Sequence, residues 1–150
     1  MKIKVLIVDD SAFMRRIIKQ MLESDGDIEI IGTARDGMEG VEMALQLSPD
    51  VITMDVEMPR MNGLEATEAI MDKRPTPIIM LSSITKEGAK ATFEALDRGA
   101  ADYISKNLVT SGLDLMKIQT ELICKVKAVA RKRSVISGLK PFKKPEPLVM

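Results

Sequence analysis

The stretch VITMDVEMPRMNG, residues 51–63, decides how the rest of the chain is interpreted. Its first four residues are apolar or β-branched and predict a short buried strand, and Asp55 stands where that strand runs out into a loop. Pro59 cannot continue a sheet ladder, and Gly63 suits a turn before the next helix. Because a carboxylate is costly at the end of a buried strand unless something there uses it, Asp55 is the first candidate functional residue.

The composition bounds the class of protein. With 150 residues, 45% of them hydrophobic, the chain is long enough for one domain with a proper core and too apolar for disorder throughout. Its 22 basic and 22 acidic side chains balance, which indicates neither nucleic acid nor a membrane as a partner. The single cysteine, Cys124, excludes an internal disulfide, and the apolar run near the start is too short for a signal peptide or a membrane span. We therefore expect a cytoplasmic protein.

The sequence contains no histidine, and this narrows the chemistry. It excludes His-based nucleophilic or general-base catalysis and removes the commonest metal ligand. Carboxylate oxygens remain as candidate ligands, and they favour hard cations such as Mg²⁺.

Hydrophobic patterning predicts five strands that alternate with five helices. The strands are predicted at residues 3–8, 28–34, 51–54, 78–81 and 101–105, and the last helix is predicted from about 113 to 132. Among the inward-facing helical residues we expect Phe13, Met14, Ile17, Ile18, Met21, Leu22, Val41, Ala44, Leu45, Ala89, Phe93, Leu96, Leu115, Ile118, Leu122, Val126 and Val129.

This alternation predicts an α/β fold with a parallel sheet, right-handed crossovers and helices on both faces. The smallest common arrangement is a doubly wound five-stranded sheet with strand order 2-1-3-4-5. Its ligand crevice lies at the carboxyl ends of the first and third strands, where the winding reverses. Asp9, Asp10 and Asp55 stand at those strand ends, so we expect them to lie together.

Three carboxylates in one crevice repel each other and need roughly a divalent charge to hold them. We therefore hypothesise that Asp55 accepts a phosphoryl group beside a bound Mg²⁺, with Lys106 from the end of the fifth strand and Ser82 from the end of the fourth. Each residue alone has an ordinary explanation, since acids after strands often begin turns or cap helices and lysines before loops are usually solvated. Their arrival at one edge of one sheet is what favours a shared function.

Four motifs make the chain similar to a known family. They are VDDSAFMRR at 8–16, MDVEMPRMNG at 54–63, MLSS at 80–83 and GAADYISK at 99–106. The chain closely resembles the receiver (phosphoacceptor) domains of two-component response regulators, with their flavodoxin-like fold. Within that family it is most similar to the regulatory domains of chemotaxis protein-glutamate methylesterases.

The resemblance implies a role for each site residue. Asp55 is the implied phosphorylation site, and Asp10, Asp55, the main-chain carbonyl of Glu57 and, through water, Asp9 are the implied Mg²⁺ ligands. Ser82 and Tyr103 match the switch residues, and Lys106 matches the lysine that pairs with the phosphate. The implied phosphodonor is a histidine kinase, and the implied output surface is formed by the fourth helix, the fifth strand and the fifth helix, which would control an effector. The implied catalysis is limited to slow self-dephosphorylation.

The sequence departs from the family pattern after Lys106, where Asn107 replaces the usual proline. We expect a receiver domain over residues 1–132 and a linker or tail over 133–150, and a methylesterase domain would lie beyond this chain if it is a fragment. Residues 125–144 carry eight basic and no acidic side chains, which we interpret as a helix end and a linker rather than a nucleic-acid site.

Two other functions fit parts of the pattern. An Mg²⁺-dependent phosphohydrolase with an aspartyl-phosphate intermediate would also use Asp55, although the adjacent acids Asp9 and Asp10 and the lack of a cap domain disfavour it. A flavin-binding module on the same topology is disfavoured because the two acids stand where a flavin phosphate would need hydrogen-bond donors.

Overall fold

The computed structural model describes residues 2–82, 86–105 and 115–138, and their side chains over 2–82, 89–105 and 116–132. Five parallel strands form one sheet in the order β2-β1-β3-β4-β5, which confirms the predicted α/β topology. The strands are β1 Ile3–Val8, β2 Ile28–Ala34, β3 Val51–Asp55, β4 Ile78–Ser82 and β5 Asp102–Ser105. The helices are α1 Ala12–Glu23, α2 Gly37–Leu47, α3 Gly63–Lys73, α4 Lys86–Asp97 and α5 Leu115–Gly138.

The central strands are buried on both faces because helices cover the sheet on each side. Residues of β1, β3 and β4 that point one way pack with α1 and α5, and those that point the other way pack with α2, α3 and α4. The pairing of Val8 with Met54 and of Asp55 with Leu81 aligns the carboxyl ends of β1, β3 and β4 at one edge. That edge carries the candidate site.

The buried faces of three helices differ in part from the prediction. In α4 the predicted inward residue Phe93 is 65% exposed and Ala89 is also exposed, whereas Thr92 and Ala95 are buried. Phe13 of α1 is 60% exposed and Leu45 of α2 is also exposed. Each of these helices has more apolar residues than one face can bury, so the periodicity alone selects the wrong residues.

Helix α5 packs as predicted through Ile118, Leu122, Val126 and Val129, which are all buried, whereas the side chain of Leu115 lies outside the described residues. It continues to Gly138, six residues beyond the predicted end, because the first residue after Lys132 that favours a helix end is this glycine. Lys127 joins α5 to the turn before β2 through Asp25 and Asp27, at 2.8 and 3.3 Å. Among the described helices, none is long and apolar enough to cross a membrane.

Candidate functional site

Three carboxylates meet at the carboxyl edge of the sheet. Asp9 and Asp10 follow β1, and Asp55 is the last residue of the neighbouring strand β3. One carboxylate oxygen from each of the three lies within 4.8 Å of the others. Asp9 and Asp55 are buried and Asp10 is exposed, so the cluster is open to solvent on one side. The structure thus brings together the three acids that the sequence places at strand ends.

The turn after β1 is held by hydrogen bonds on both sides of Asp9. The Ser11 N–H donates to Asp9 Oδ1 at 2.9 Å, and the Asp9 N–H donates to the Ala34 carbonyl at 3.1 Å. Arg15 Nη1 donates to the Asp9 carbonyl at 2.7 Å, which brings a positive charge from α1 close to the cluster. Ser11 also caps α1 by accepting from the Met14 N–H at 3.2 Å, as predicted. These contacts hold both the main chain and the carboxylate of Asp9 in place.

The loop from β3 to α3 turns back tightly beneath Asp55. The Gly63 N–H donates to the Val56 carbonyl at 2.8 Å, and a Cβ on Gly63 would lie only 2.2 Å from the Asp55 carbonyl oxygen. Only glycine therefore allows this close approach. Asn62 caps α3 and forms a reciprocal capping box with Glu65. The loop that includes the Glu57 carbonyl therefore comes back to the end of β3 at Gly63, eight residues after Asp55.

A second contact ties this loop to the start of α2. Arg60 has a positive φ of 66°, and its guanidinium donates through Nε and Nη2 to Asp36 Oδ2. The other oxygen, Asp36 Oδ1, accepts from the Glu39 N–H at 2.9 Å and caps α2. That bond, followed by the one from Arg60, holds the pKa of Asp36 below its ordinary value, because both stabilise the carboxylate. The Gly37 N–H, at the first residue of α2, donates to the Met61 carbonyl at 3.0 Å.

Ser82 lies beside the cluster at the end of β4. Leu81 is the register partner of Asp55, and the Val56 N–H donates to the Leu81 carbonyl at 3.1 Å, so Ser82 is one residue beyond the Asp55 level. Ser82 is buried and pairs in register with Ser105 of β5. Ser82 is thus at the end of the fourth strand, where the sequence places it.

The remaining predicted residues lie on or after β5. Tyr103 is part of this edge strand and is 45% exposed, so its ring is turned toward solvent. Lys106 and Asn107 lie outside the described residues, as does the tail from 139 to 150. The structure therefore describes every predicted site residue except the lysine.

The donor atoms of the cluster fit a small hard cation. Within the described residues the candidate ligands at this edge are oxygens, and three carboxylates within 4.8 Å would repel one another without a positive charge between them. Mg²⁺ takes one or two carboxylates directly and keeps several waters, which suits a cluster with one exposed member. Asp9, Asp10 and Asp55 are the residues that would hold it, with the Glu57 carbonyl following on the same loop.

Two contacts near the site have no local signal in the sequence. The Asp36–Arg60 pair joins residues 24 positions apart, and Asp36 is recognisable from sequence only as a helix cap. Lys125 of α5 contacts Asp102 and Tyr103 of β5, across more than 20 residues. The sequence shows only that the last helix is basic and that the fifth strand starts near an acidic residue. These opposite charges do not indicate which lysine contacts which residue.

Comparison with known families gives a single consistent result. The family model for the response regulator receiver domain matches residues 5–117. A protein-glutamate methylesterase/protein-glutamine glutaminase of Carboxydothermus hydrogenoformans is 56% identical over 135 residues, which cover 90% of this chain and 38% of that protein. A protein of the same name from Methanococcus maripaludis is 53% identical, over 88% of this chain and 36% of that protein. The chain thus spans little more than a third of the length of these relatives.

Solved structures show the same similarity. The response regulator domain of Thermotoga maritima CheB superposes with a TM-score of 0.79 at 48% identity, covering 87% of this chain and 98% of that domain. A chain from the CheX-CheY-BeF3-Mg complex of Borrelia burgdorferi superposes with a TM-score of 0.68 at 32% identity, covering 83% of this chain and 88% of that one.

Proposed function

The chain belongs to the response regulator receiver domain family, and from this premise we propose that Asp55 accepts a phosphoryl group from the phosphohistidine of a histidine kinase. The observation that carries the proposal is the meeting of Asp9, Asp10 and Asp55 at one sheet edge, with Asp55 at the end of its strand. The CheX-CheY complex that contains Mg and BeF3 supports it, because that combination stands in for a metal and a phosphoryl group on a related chain.

The transfer is a displacement at phosphorus. An Asp55 carboxylate oxygen forms the new O–P bond as the N–P bond of the donor breaks, and the electron pair of that bond stays on the histidine nitrogen. Asp9, Asp10 and Asp55 would hold Mg²⁺, which would supply charge neutralisation to the transferred oxygens. In this proposal Lys106, which follows β5 in the sequence, pairs with the phosphate. Hydrolysis of the same acyl phosphate accounts for slow self-dephosphorylation.

The switch uses the residues on the β4 and β5 side of the cluster. Phosphorylation adds about 1.5 to 2 negative charges and several acceptor oxygens next to the Ser82 hydroxyl. Ser82 turns toward them, and Tyr103 follows it from its exposed position toward the space that the hydroxyl leaves. The surface of α4, β5 and α5 then changes its shape and reports the phosphorylation state to an effector.

The size of the relatives supports an enzyme as the effector. In this proposal residues 1–132 are the receiver and 133–150 a linker, and a methylesterase domain lies beyond residue 150 if the chain is part of a longer protein. The receiver itself is then a switch and not an esterase. A kinase-linked switch of this type, with a single cysteine and no membrane-spanning helix in the described part, belongs in the cytoplasm.

The test is phosphorylation by acetyl phosphate, followed by intact-mass measurement. We expect one phosphoryl adduct in the presence of Mg²⁺, none with a chelator and none in Asp55→Asn. Asp50→Asn is the matched control, because Asp50 precedes the same strand at its other end and accepts from the Lys4 N–H at 2.9 Å. An adduct that persists in Asp55→Asn would contradict the proposal. Repeated turnover of phosphomonoesters would instead favour the phosphohydrolase, which the family match does not support.

A further inference from the structure

The ammonium group of Lys125 is surrounded by acceptors from two elements. Lys125 Nζ donates to the Tyr103 carbonyl at 2.7 Å, to Glu121 Oε2 at 3.0 Å and to Asp102 Oδ1 at 3.3 Å. An ammonium group has three hydrogens, so these three contacts use all of its donors. Burial disfavours the charged form, but the carboxylates of Glu121 and Asp102 outweigh it and hold the pKa of Lys125 above its ordinary value.

These contacts take the place of a neighbouring strand. β5 is an edge strand, so alternate residues present main-chain groups that no ladder satisfies. At Tyr103 both groups are satisfied by side chains: its N–H donates to Oδ1 of the preceding residue, Asp102, at 2.7 Å, and its carbonyl accepts from Lys125 of α5. The lysine therefore fixes the main chain at the residue that carries the switch ring.

The same ammonium group also contacts the ring. Lys125 Nζ lies 5.3 Å from the centroid of the Tyr103 ring, within the range in which a cation is attracted to an aromatic face. The ring is 45% exposed, so this attraction acts on the outward orientation, which is the one that the structure shows. An inward ring would give up this contact. The attraction is thus specific to one of the two orientations that the switch requires.

We propose that Lys125 is a positioning residue that holds Tyr103 in its outward orientation and so sets how readily the receiver switches. This inference rests on the proposed function, because it takes Tyr103 as the residue that turns inward. Lys125 favours the unphosphorylated state, and phosphorylation has to overcome its contact with the ring. By linkage, removing the contact strengthens the binding of any ligand that prefers the inward ring.

The chain provides its own probe and its own control. Tyr103 is the single tyrosine and there is no tryptophan, so tyrosine fluorescence reports this ring alone. Lys127 is on the same helix, pairs with two carboxylates and has a side chain 30% exposed, compared with 24% for Lys125. Its partners are Asp25 and Asp27, on the far side of the helix from β5. Lys127→Met therefore removes a similar set of ion pairs without touching the switch.

The first measurement is acrylamide quenching of tyrosine fluorescence in the full chain without ligand. In Lys125→Met the ring is free to turn inward, so we expect weaker quenching than in the unmodified chain, whereas Lys127→Met and Lys125→Arg should remain close to it. Thermal melting monitored by circular dichroism checks that each variant is folded. Equal quenching in Lys125→Met and Lys127→Met overturns the inference and leaves the proposed function intact.

The second measurement is a titration with beryllium fluoride in excess Mg²⁺, followed by the same fluorescence. We expect the half-saturating concentration for Lys125→Met to fall by about two- to fivefold, the factor that a partly exposed cation–π contact provides when the outward ring is the dominant state. An unchanged or higher midpoint in Lys125→Met overturns the inference. Failure of the unmodified chain to respond at all overturns the proposed function, and this inference falls with it.

Discussion

The acidic side of the sheet, around Asp9 and Asp55, and the outer edge, around β5, differ in how closely they are packed. On the acidic side, formed by β1, β3 and the starts of α2 and α3, backbone groups approach within hydrogen-bond distance and two glycines leave no room for a side chain. At the outer edge, formed by α4 and β5, the large aromatic residues Phe93 and Tyr103 are turned toward solvent. A single lysine on α5 holds Tyr103. The acidic side is thus closely packed around its backbone, whereas the outer edge leaves large side chains exposed.

The largest effect should come from Gly63→Ala. A Cβ there would meet the Asp55 carbonyl oxygen at 2.2 Å and Val56 Cα at 2.9 Å, both of them backbone atoms that cannot move away easily. We expect a loss of about 3 kcal/mol in the free energy of unfolding by urea. Gly26→Ala is the control, since nothing lies within 4 Å of its Cβ position, and it should change stability by about 0.5 kcal/mol or less. If the two variants were equally stable, the close backbone approach at Gly63 would not be what requires glycine there.

A smaller effect is expected from Asp36→Asn, which keeps an oxygen for the helix cap and removes the charge that Arg60 contacts. Because Arg60 is largely exposed, we expect a loss of only about 1 kcal/mol at neutral pH. The pKa of Asp36 is lowered in the folded chain, so its contribution is complete above its ordinary value of 3.8 and disappears as the pH falls through the folded-state value. Urea unfolding at several pH values should show the variant and the unmodified chain converging in acid. A difference in the free energy of unfolding between the two proteins that does not change with pH would refute this explanation.

Thr53→Val should stabilise the chain slightly. Thr53 is fully buried in β3, and within the described part of the chain its hydroxyl has no hydrogen-bond partner. Valine has the same shape without the polar group, so we expect a gain of up to about 1 kcal/mol in thermal or urea unfolding. Thr67→Val is the control because Thr67 is equally buried but its hydroxyl lies 3.6 Å from Met80 Sδ. A larger gain at Thr67 than at Thr53 would contradict the explanation.

The smallest effect is expected at the outer edge, from Phe93→Ser. Phe93 is 65% exposed, so removing its ring should change the free energy of unfolding by no more than about 0.5 kcal/mol. Two residues along the same helix, Ala95 is fully buried, and Ala95→Ser should cost about 1 kcal/mol or more because it buries a hydroxyl. If Phe93→Ser lowered the free energy of unfolding more than Ala95→Ser does, the Phe93 ring would have to be packed against the protein rather than exposed.

The parts of the fold that the sequence predicts well are those with one physical solution. A parallel strand covered on both faces has to be continuously apolar, and it has to end where polar residues begin, so Asp9 and Asp55 mark their strand ends unambiguously. The strand order 2-1-3-4-5 is the smallest common arrangement of such strands, with right-handed crossovers placing helices on both faces. The meeting of the acids is a consequence of topology and needs no knowledge of side-chain packing.

The parts that the sequence does not predict depend on choices between similar packings. Helix α4 contains several small apolar residues, and it buries Ala95 with Thr92 where the pattern favours Phe93. Burying the larger residue would remove more apolar area from water, so buried area alone does not select the face that α4 buries. The contacts of Asp36 with Arg60 and of Lys125 with Tyr103 are likewise tertiary, because neither partner is near the other in the chain.

Helix α5 extends well beyond Lys125, so a movement of the helix at this lysine also moves its end. Gly138, at the end of α5, is thirteen positions beyond Lys125, which corresponds to roughly 20 Å of continuous helix. A helix of this length behaves as a stiff lever, so a tilt of about ten degrees at the lysine would carry its far end through roughly 3 Å. A tilt of α5 that follows the turning of the Tyr103 ring would therefore displace the residues near Gly138 more than those near Lys125.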